Sequence, residues 1–474
     1  MPIIGNALQV GALPWFKFSA WRKTYGDILY LNMLGRPVII LNSAKAAGDL
    51  LERRSAIYSD RPRLIVASEM MTGGLFFPLT PYNETWRRMR KAAHEALNKG
   101  AAKDFMEYQT SEALLLARGM LQSSANWEKQ MARATASMMM SCLYNESSIS
   151  SEDDPRIRDV IDFVRRLGRA SLPGAHWVEV IPWMRYIPSR VAAWKRSALD
   201  GRKKDGSMLL RLYTRVENNI ATGDERGSFC ATLIRDVDRH GMSAEESSWL
   251  AGTIFAAGSD STTATMAWWA LAMLTYPDIQ KRAQEEIDSV VGRTRLPTFA
   301  DLSHLPYVRA IVQETLRWRP VGPIGIPHRS VQDDTYEGYF IPKGSIVITN
   351  LWELNRDTEF FGPDPDRFNP ARYLDEKGCL ISGLVEAKDD AHFSFGFGRR
   401  GCVGKHVAVN TLSIEIMTCL WALSLAKVKG RDLDLDSYVD DGLIVRPKHF
   451  QVNVQPRFPE ALALLSQECE LRGL

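Results

Sequence analysis

The sequence predicts a mainly α protein, one large helical domain that carries small β-sheets. Three observations lead there. Helical periodicity runs through residues 83–98, 104–122 and 127–144. A single stretch from Ser247 to Tyr276 has no interior proline and is closed by Pro277. Beyond Leu305 the chain becomes dense in Pro, Gly and aromatics, with short strand-like runs such as Ser345–Ile348.

Taken in order, residues 1–60 form a β-rich amino-terminal part. In it Ile28–Leu31 and Val38–Leu41 are strand-like runs, and Gly35-Arg36-Pro37 between them predicts a hairpin. After the three helical stretches, residues 165–190 are rich in Pro, Gly and Trp and predict a long irregular connection. Residues 200–226 are charged and surface-like. The 247–276 stretch is well over twice the usual helix length of about 11–12 residues and is expected to cross the whole molecule. A last helix is expected from near Cys402 through Leu423. With no internal repeat, low-complexity tract or linker, residues 1–474 read as a single domain.

Composition narrows the function. Of 474 residues, 45% are hydrophobic and 24% charged, with a formal net charge of +3. That is ordinary for a globular protein and excludes a whole-chain nucleic-acid footprint. The six cysteines (Cys142, Cys230, Cys379, Cys402, Cys419 and Cys469) are scattered without a C-x-x-C pair, which argues for a reducing compartment over a disulfide scaffold. The sequons at Asn83 and Asn145 are read as chance. No apolar run reaches the length of a membrane span. Met1-Pro2-Ile3-Ile4-Gly5-Asn6 reads as the middle of a Pro/Gly turn.

The strongest local signal is Phe395-Gly396-Phe397-Gly398-Arg399-Arg400-Gly401-Cys402-Val403-Gly404. It fits F-x-x-G-x-R-x-C-x-G and resembles the haem-binding loop, here 395–404, of the cytochrome P450 superfamily. An axial thiolate needs a dry site that keeps it deprotonated. Cys402 stands just ahead of a predicted helix, whose N-terminal dipole favours negative charge. Phe395 is suited to cover the sulfur side, and Arg400 to reach a haem propionate.

The resemblance extends in order along nearly the whole chain. Glu314-Thr315-Leu316-Arg317 matches E-x-x-R, an i, i+3 pair able to form an ion pair. Pro365-Asp366-Arg367-Phe368 resembles P-E-R-F, so Arg367 is expected to complete a buried Glu–Arg–Arg cluster that fixes the cysteine loop. Ala257-Gly258-Ser259-Asp260-Ser261-Thr262 resembles the oxygen-activation motif, with Ser261 where threonine is usual. Gly258 within a helix suggests an opening for dioxygen. Asp260 with Ser261 or Thr262 would relay protons, and Ser261 is the expected relay group. Trp86 and Arg90 match W-x-x-x-R, and His328 another propionate-contact position.

The resemblance implies a P450 fold, haem b as cofactor with Cys402 on its iron, and a monooxygenase that inserts one oxygen atom into a lipophilic small molecule. Electrons would come from a separate NADPH-dependent flavoprotein reductase, docked on Arg87, Arg88, Lys91, Arg399 and Lys405. Expected substrate-lining residues are Leu64–Val66 to Phe76-Phe77, Thr253, Ala256, Ala257, Val321–Ile326 and Leu443–Val445. The first residues are similar to the hinge that follows the membrane anchor of microsomal members. An anchor upstream of Met1, contact of the Trp183–Ile187 region with a bilayer surface, and placement on the cytosolic face of the endoplasmic reticulum would follow. Phrases such as Ile181-Pro182-Trp183-Met184-Arg185-Tyr186 look most like fungal members, which implies a role in secondary metabolism. Two other readings remain at this point: a haem-thiolate isomerase or dehydratase that needs no reductase, and a non-catalytic haem-binding protein.

Overall fold

A computed structural model describes residues 4–151, 153–224, 226–381 and 391–474. Met1-Pro2-Ile3 of the expected hinge turn lie outside the described residues.

The chain opens with helix α1 (Pro14–Tyr25) and a hairpin of β1 (Ile28–Met33) and β2 (Arg36–Leu41). The turn is Leu34-Gly35, both with positive φ, so Arg36 and Pro37 belong to the second strand and not to the connection. Then come α2 (Glu84–Leu97), α3 (Met106–Gln122) and α4 (Trp127–Tyr144), within a residue or two of the periodic stretches. Asn83 caps α2 by accepting from the Trp86 N–H, and Asn145, left-handed at φ 57°, ends α4. Residues 165–171 are not irregular, as the sequence suggested, but the end of α5 (Pro155–Ser171). The charged stretch is α6 (Ala193–Ala221), 29 residues long.

The central helix α7 (Ala244–Thr275) starts three residues earlier than periodicity indicated. Ser243 and Glu246 form a reciprocal capping box that fixes this start. Its buried residues lie on every side, so it is a core helix with α4 and α6 packed against it. After α8 (Pro277–Val290) and α9 (Pro306–Trp318) the chain adds short strands: β3 (His328–Arg329), β4 (Asp334–Tyr336), β5 (Tyr339–Ile341) and β6 (Ile346–Thr349). One sheet has the order β1-β2-β6-β3, with β2 and β6 parallel. Helix α10 (Lys405–Ala422) packs on α3 and leads into β7 (Leu423–Lys427). Strands β8 (Tyr438–Asp440), β9 (Val445–Pro447) and β10 (Val452–Pro456), then α11 (Ala461–Leu471), complete the chain. Two apolar cores flank α7, one reaching toward α2, α5 and α6, the other toward α8, α9 and α10.

Candidate functional site

The cysteine loop is held from several sides. The Cys402 N–H donates to the Phe395 carbonyl at 2.8 Å, closing the loop on itself. Gly398 is obligatory: its φ is +56°, and a Cβ there would stand 2.0 Å from the Leu51 carbonyl oxygen. Cys402 lies three positions ahead of the first residue of α10, where the helix dipole favours a thiolate. Phe395 packs on the core beside α10 and lies 5.1 Å from the His392 ring.

The loop's support runs back to α9. Glu314 and Arg317 are fully buried and paired through two hydrogen bonds of 2.7 and 2.8 Å. Arg317 also donates to the carbonyls of Asn355, Pro365 and Arg367. Asn355 in turn accepts from the Phe393 N–H, and Ser394 Oγ donates to the Leu316 carbonyl. The second arginine of the cluster is Arg372, whose Nε is 3.2 Å from Glu314. Arg367, the residue expected there, contributes its backbone carbonyl instead. The register of the P-E-R-F resemblance is therefore corrected to Pro370-Ala371-Arg372-Tyr373, five residues later.

Cys402, Phe395 and Arg400 line a cavity of about 360 Å³ between the loop and α7. Trp86, Arg90 and His328 line it as well, as does Arg61, which lies outside the motifs read from the sequence. Arg90 donates to the Gly401 carbonyl, tying α2 to the cysteine loop. The Arg400 guanidinium lies over the Trp86 ring at 4.2 Å and donates to the carbonyls of Ser59 and Thr80. Its Nη1 is buried without a partner. His328 is buried, not a surface histidine, and its Nδ1 donates to the Tyr58 carbonyl at 2.7 Å. That leaves Nε2 to share a proton with an acid.

Burial disfavours the charged form of each of these basic groups, and for His328, Arg61 and Arg400 a neighbouring arginine adds to it. Burial, then the Arg61 charge, pushes His328 well below the usual histidine range. Burial lowers Arg61, Arg90 and Arg400, the last to about 9. No carboxylate shares this wall among the described residues. A ligand bearing carboxylates would relieve all four groups, and haem with its two propionates fits this donor set above a cysteine.

The α7 wall is contributed by Thr253, Ile254, Ala257, Gly258, Ser261, Thr262 and Thr265. Ala257, Gly258 and Ser261 are its accessible stripe, whereas Thr262 is 4% exposed. Gly258 also has a packing reason, because a Cβ there would meet Met139 at 2.7 Å. Asp260 is turned away from the main cavity and lines a smaller one of about 130 Å³ behind the helix. There it accepts from Arg446 at 2.9 Å, and Arg446 also pairs with Asp441. Burial raises Asp260 above the usual carboxylate range, against the pull of Arg446. Arg446 was missed by sequence reading because 186 residues separate the partners.

Of the expected substrate-lining residues, Phe77, Thr253, Ala257, Val321, Gly322, Ile324–Ile326, Leu443 and Ile444 lie on the main cavity. Leu64–Val66, Phe76, Pro323 and Val445 do not, and Ala256 faces the smaller cavity.

Residues 1–454 match the family model described as Cytochrome P450. A cytochrome P450 monooxygenase of Armillaria gallica is 51% identical over 100% of this chain and 92% of its own length. Cytochrome P450 monooxygenase 58 of Postia placenta is 43% identical, over 98% of this chain and 89% of its own length. A zebrafish cytochrome P450 solved with abiraterone shares the fold at a TM-score of 0.75 and 23% identity, covering 94% of this chain and 100% of that one. The mainly helical P450 architecture, a haem-dependent monooxygenase activity and a thiolate-ligated haem iron go with that match, and the chain belongs to the cytochrome P450 family.

Proposed function

We propose that Cys402 is the iron ligand and that Trp86, Arg90, Arg400 and His328 hold the haem propionates. The observation that carries this is a single cavity lined by the cysteine and by Arg61 and His328, both buried, and Arg90 and Arg400, both half-buried, on a wall without carboxylate among the described residues. Phe395 keeps water from the sulfur side. The haem supplies activation of dioxygen and transfer of one oxygen atom to the substrate. Ser261, on the accessible stripe of α7, orients a water or hydroxyl toward the oxygen site, and Thr262 supports the wall beside it. Asp260 holds a proton behind the helix, where Arg446 and Asp441 set its charge. The need for protons favours the monooxygenase over an isomerase or a passive haem carrier.

The largely apolar wall selects a lipophilic small molecule. The electron donor is an NADPH-dependent flavoprotein reductase that meets the basic face of α2 and the cysteine loop. Arg87 and Lys91 are exposed there, while Arg88 is already paired with Glu246 at 2.7 Å. The cytosolic surface of the endoplasmic reticulum is the proposed location, and a fungal secondary pathway the proposed setting. Among the described residues, no helix is long and apolar enough to cross a membrane.

The reduced protein with carbon monoxide is expected to show the red-shifted Soret band of a thiolate-ligated haem. Cys402→His should abolish that band and the activity. A thiolate band that survives the substitution removes Cys402 from its assigned role.

A further inference from the structure

We infer that Arg446 is a positioning residue whose hold on Asp260 is released when a ligand fills the main cavity, so that substrate binding is coupled to proton uptake behind α7. The inference rests on the reading of the main cavity as the substrate site and adds a link between that site and the proton store.

The link is a single turn. Leu443 and Ile444 line the main cavity and the smaller one alike, and no other described residue is common to both walls. They are the partition between the two spaces. Arg446 follows on β9. It stands two residues after Ile444, so on an extended course the two side chains share a face, and both line the smaller cavity. The backbone on either side is fixed. A Cβ on Gly442 would stand 2.4 Å from the Gly168 carbonyl oxygen, so the turn lies directly against α5. The Val445 N–H donates to the Val321 carbonyl at 2.8 Å, and its own carbonyl accepts from the Trp268 ring N–H at 3.2 Å. Crowding from the main cavity is therefore taken up by side chains. The smaller cavity, about 130 Å³, is the space they move into.

Arg446 stands there between two acids, 2.9 Å from Asp260 and 3.0 Å from Asp441. The first contact is already at hydrogen-bond distance, so a displaced guanidinium can only lengthen it. Arg446 then keeps Asp441 as its partner and is not left buried and alone. The other charge on this wall is Arg165 of α5, whereas α4 contributes only Ala132 and Ala136. Asp440, next in the turn, accepts from the Gly442 N–H at 2.8 Å. With Arg446 drawn off, burial and the Asp441 charge prevail at Asp260. The carboxylate takes up a proton from solvent at the half-exposed Asp441–Arg446 end. The acid is thus loaded when substrate is in place.

The probe is a neutral lipophile without a titrating group, the tightest binder among 2-adamantanone, bicyclohexyl and 1-dodecanol. Its affinity for the haem-loaded protein is read between pH 5.5 and 8 from the spectral shift when iron-bound water is displaced. Binding and proton uptake are reciprocal, so the unmodified protein should bind roughly fivefold or more tightly at pH 5.5 than at pH 8. Calorimetry in two buffers of different ionisation enthalpy should show net proton uptake. Asp260→Asn and Arg446→Gln should each flatten the profile. Leu443→Ala should weaken binding at every pH and reduce the slope, because the partition no longer transmits crowding. A flat profile in the unmodified protein, tighter binding at pH 8, or a slope that survives any of the three substitutions overturns the inference. If the profile is flat while the probe still shifts the spectrum, the substrate-site reading stands. If no probe shifts the spectrum of protein with an intact carbon monoxide thiolate band, that reading fails, and this inference with it.

Discussion

Ser261 donates to the Ala257 carbonyl at 2.7 Å while remaining on the accessible stripe of α7. A hydroxyl so bonded still has lone pairs free to accept from a water in the cavity. Its neighbour Thr262 is turned about 100° around the helix and is buried. Ser261→Ala is therefore expected to lower product formed per NADPH by roughly tenfold, with hydrogen peroxide making up the difference. That is below the ~10²–10⁴-fold effect of a positioned acid or base, because water partly substitutes. Thr262→Ala should change coupling less, and Ser261→Thr should be tolerated. Uncoupling by Thr262→Ala alone would transfer the role to Thr262. Asp260 and Arg446 show why only part of this site was legible in the sequence. The acid sits inside a local motif, but its partner arrives from β9 through the fold and leaves no trace in spacing.

At the scale of elements, periodicity located α2, α3, α4 and α7 because each has an extended apolar or amphipathic pattern. It placed the start of α7 late because a capping box is chemistry, not periodicity. It took the end of α5 for connection because the Pro-, Gly- and Trp-rich stretch that follows dominates the composition there, and α6 for surface because it is charged, even though Leu167, Leu209 and Tyr213 are core residues. The Arg367 misassignment has the same origin: two similar segments lie five residues apart, and burial alone decides that Arg372 reaches Glu314. The packing of α10 on α3 holds a feature that the sequence did not reveal. Glu415 is fully buried, and both carboxyl oxygens lack partners. Nearby Arg133 is hydrogen-bonded to Glu112 instead. Burial, reinforced by the Glu112 charge, pushes Glu415 up to about 8. Its folded pKa thus lies above the unfolded value, and the native state binds the extra proton. Stability is lost as pH rises from about 4.5 toward 8, by up to about 5 kcal/mol for a shift of that size. Glu415→Gln should raise the melting temperature, and more at pH 8 than at pH 6. An equal change at both values would mean that Glu415 remains ionised against Arg133.

On the scale of the whole molecule, one face brings together features that are distant in the chain. Trp177, Trp183, Tyr186 and Val191, between α5 and α6, are 74%, 66%, 74% and 72% exposed. Leu8 is 75% exposed in the first described turn. These regions are linked through the hairpin: Asn6 bonds Asn32 in β1, and Arg36 at the start of β2 donates to the Glu179 carbonyl. Exposed tryptophan and tyrosine beside aliphatic residues suit the interface of a bilayer, where a ring is half apolar and half wet. The same segment reaches toward the loop before α2, since the Glu179 carboxylate accepts from the Ile65 and Val66 N–H groups at 2.9 Å. A membrane meeting this face would therefore adjoin the segment that leads into the site, which suits a lipophilic substrate. Purified protein is expected to float with phospholipid vesicles. Trp177→Ser together with Trp183→Ser should weaken that binding by roughly tenfold or more, since burying a large apolar side chain contributes about 1.5–3 kcal/mol when complete and less at an interface. Haem content and the carbon monoxide band of the double variant should be unchanged, because neither tryptophan lies on the main cavity. Undiminished flotation of the double variant would assign membrane contact to another face. Failure of the unmodified protein to bind vesicles of any composition would remove the membrane from this surface altogether.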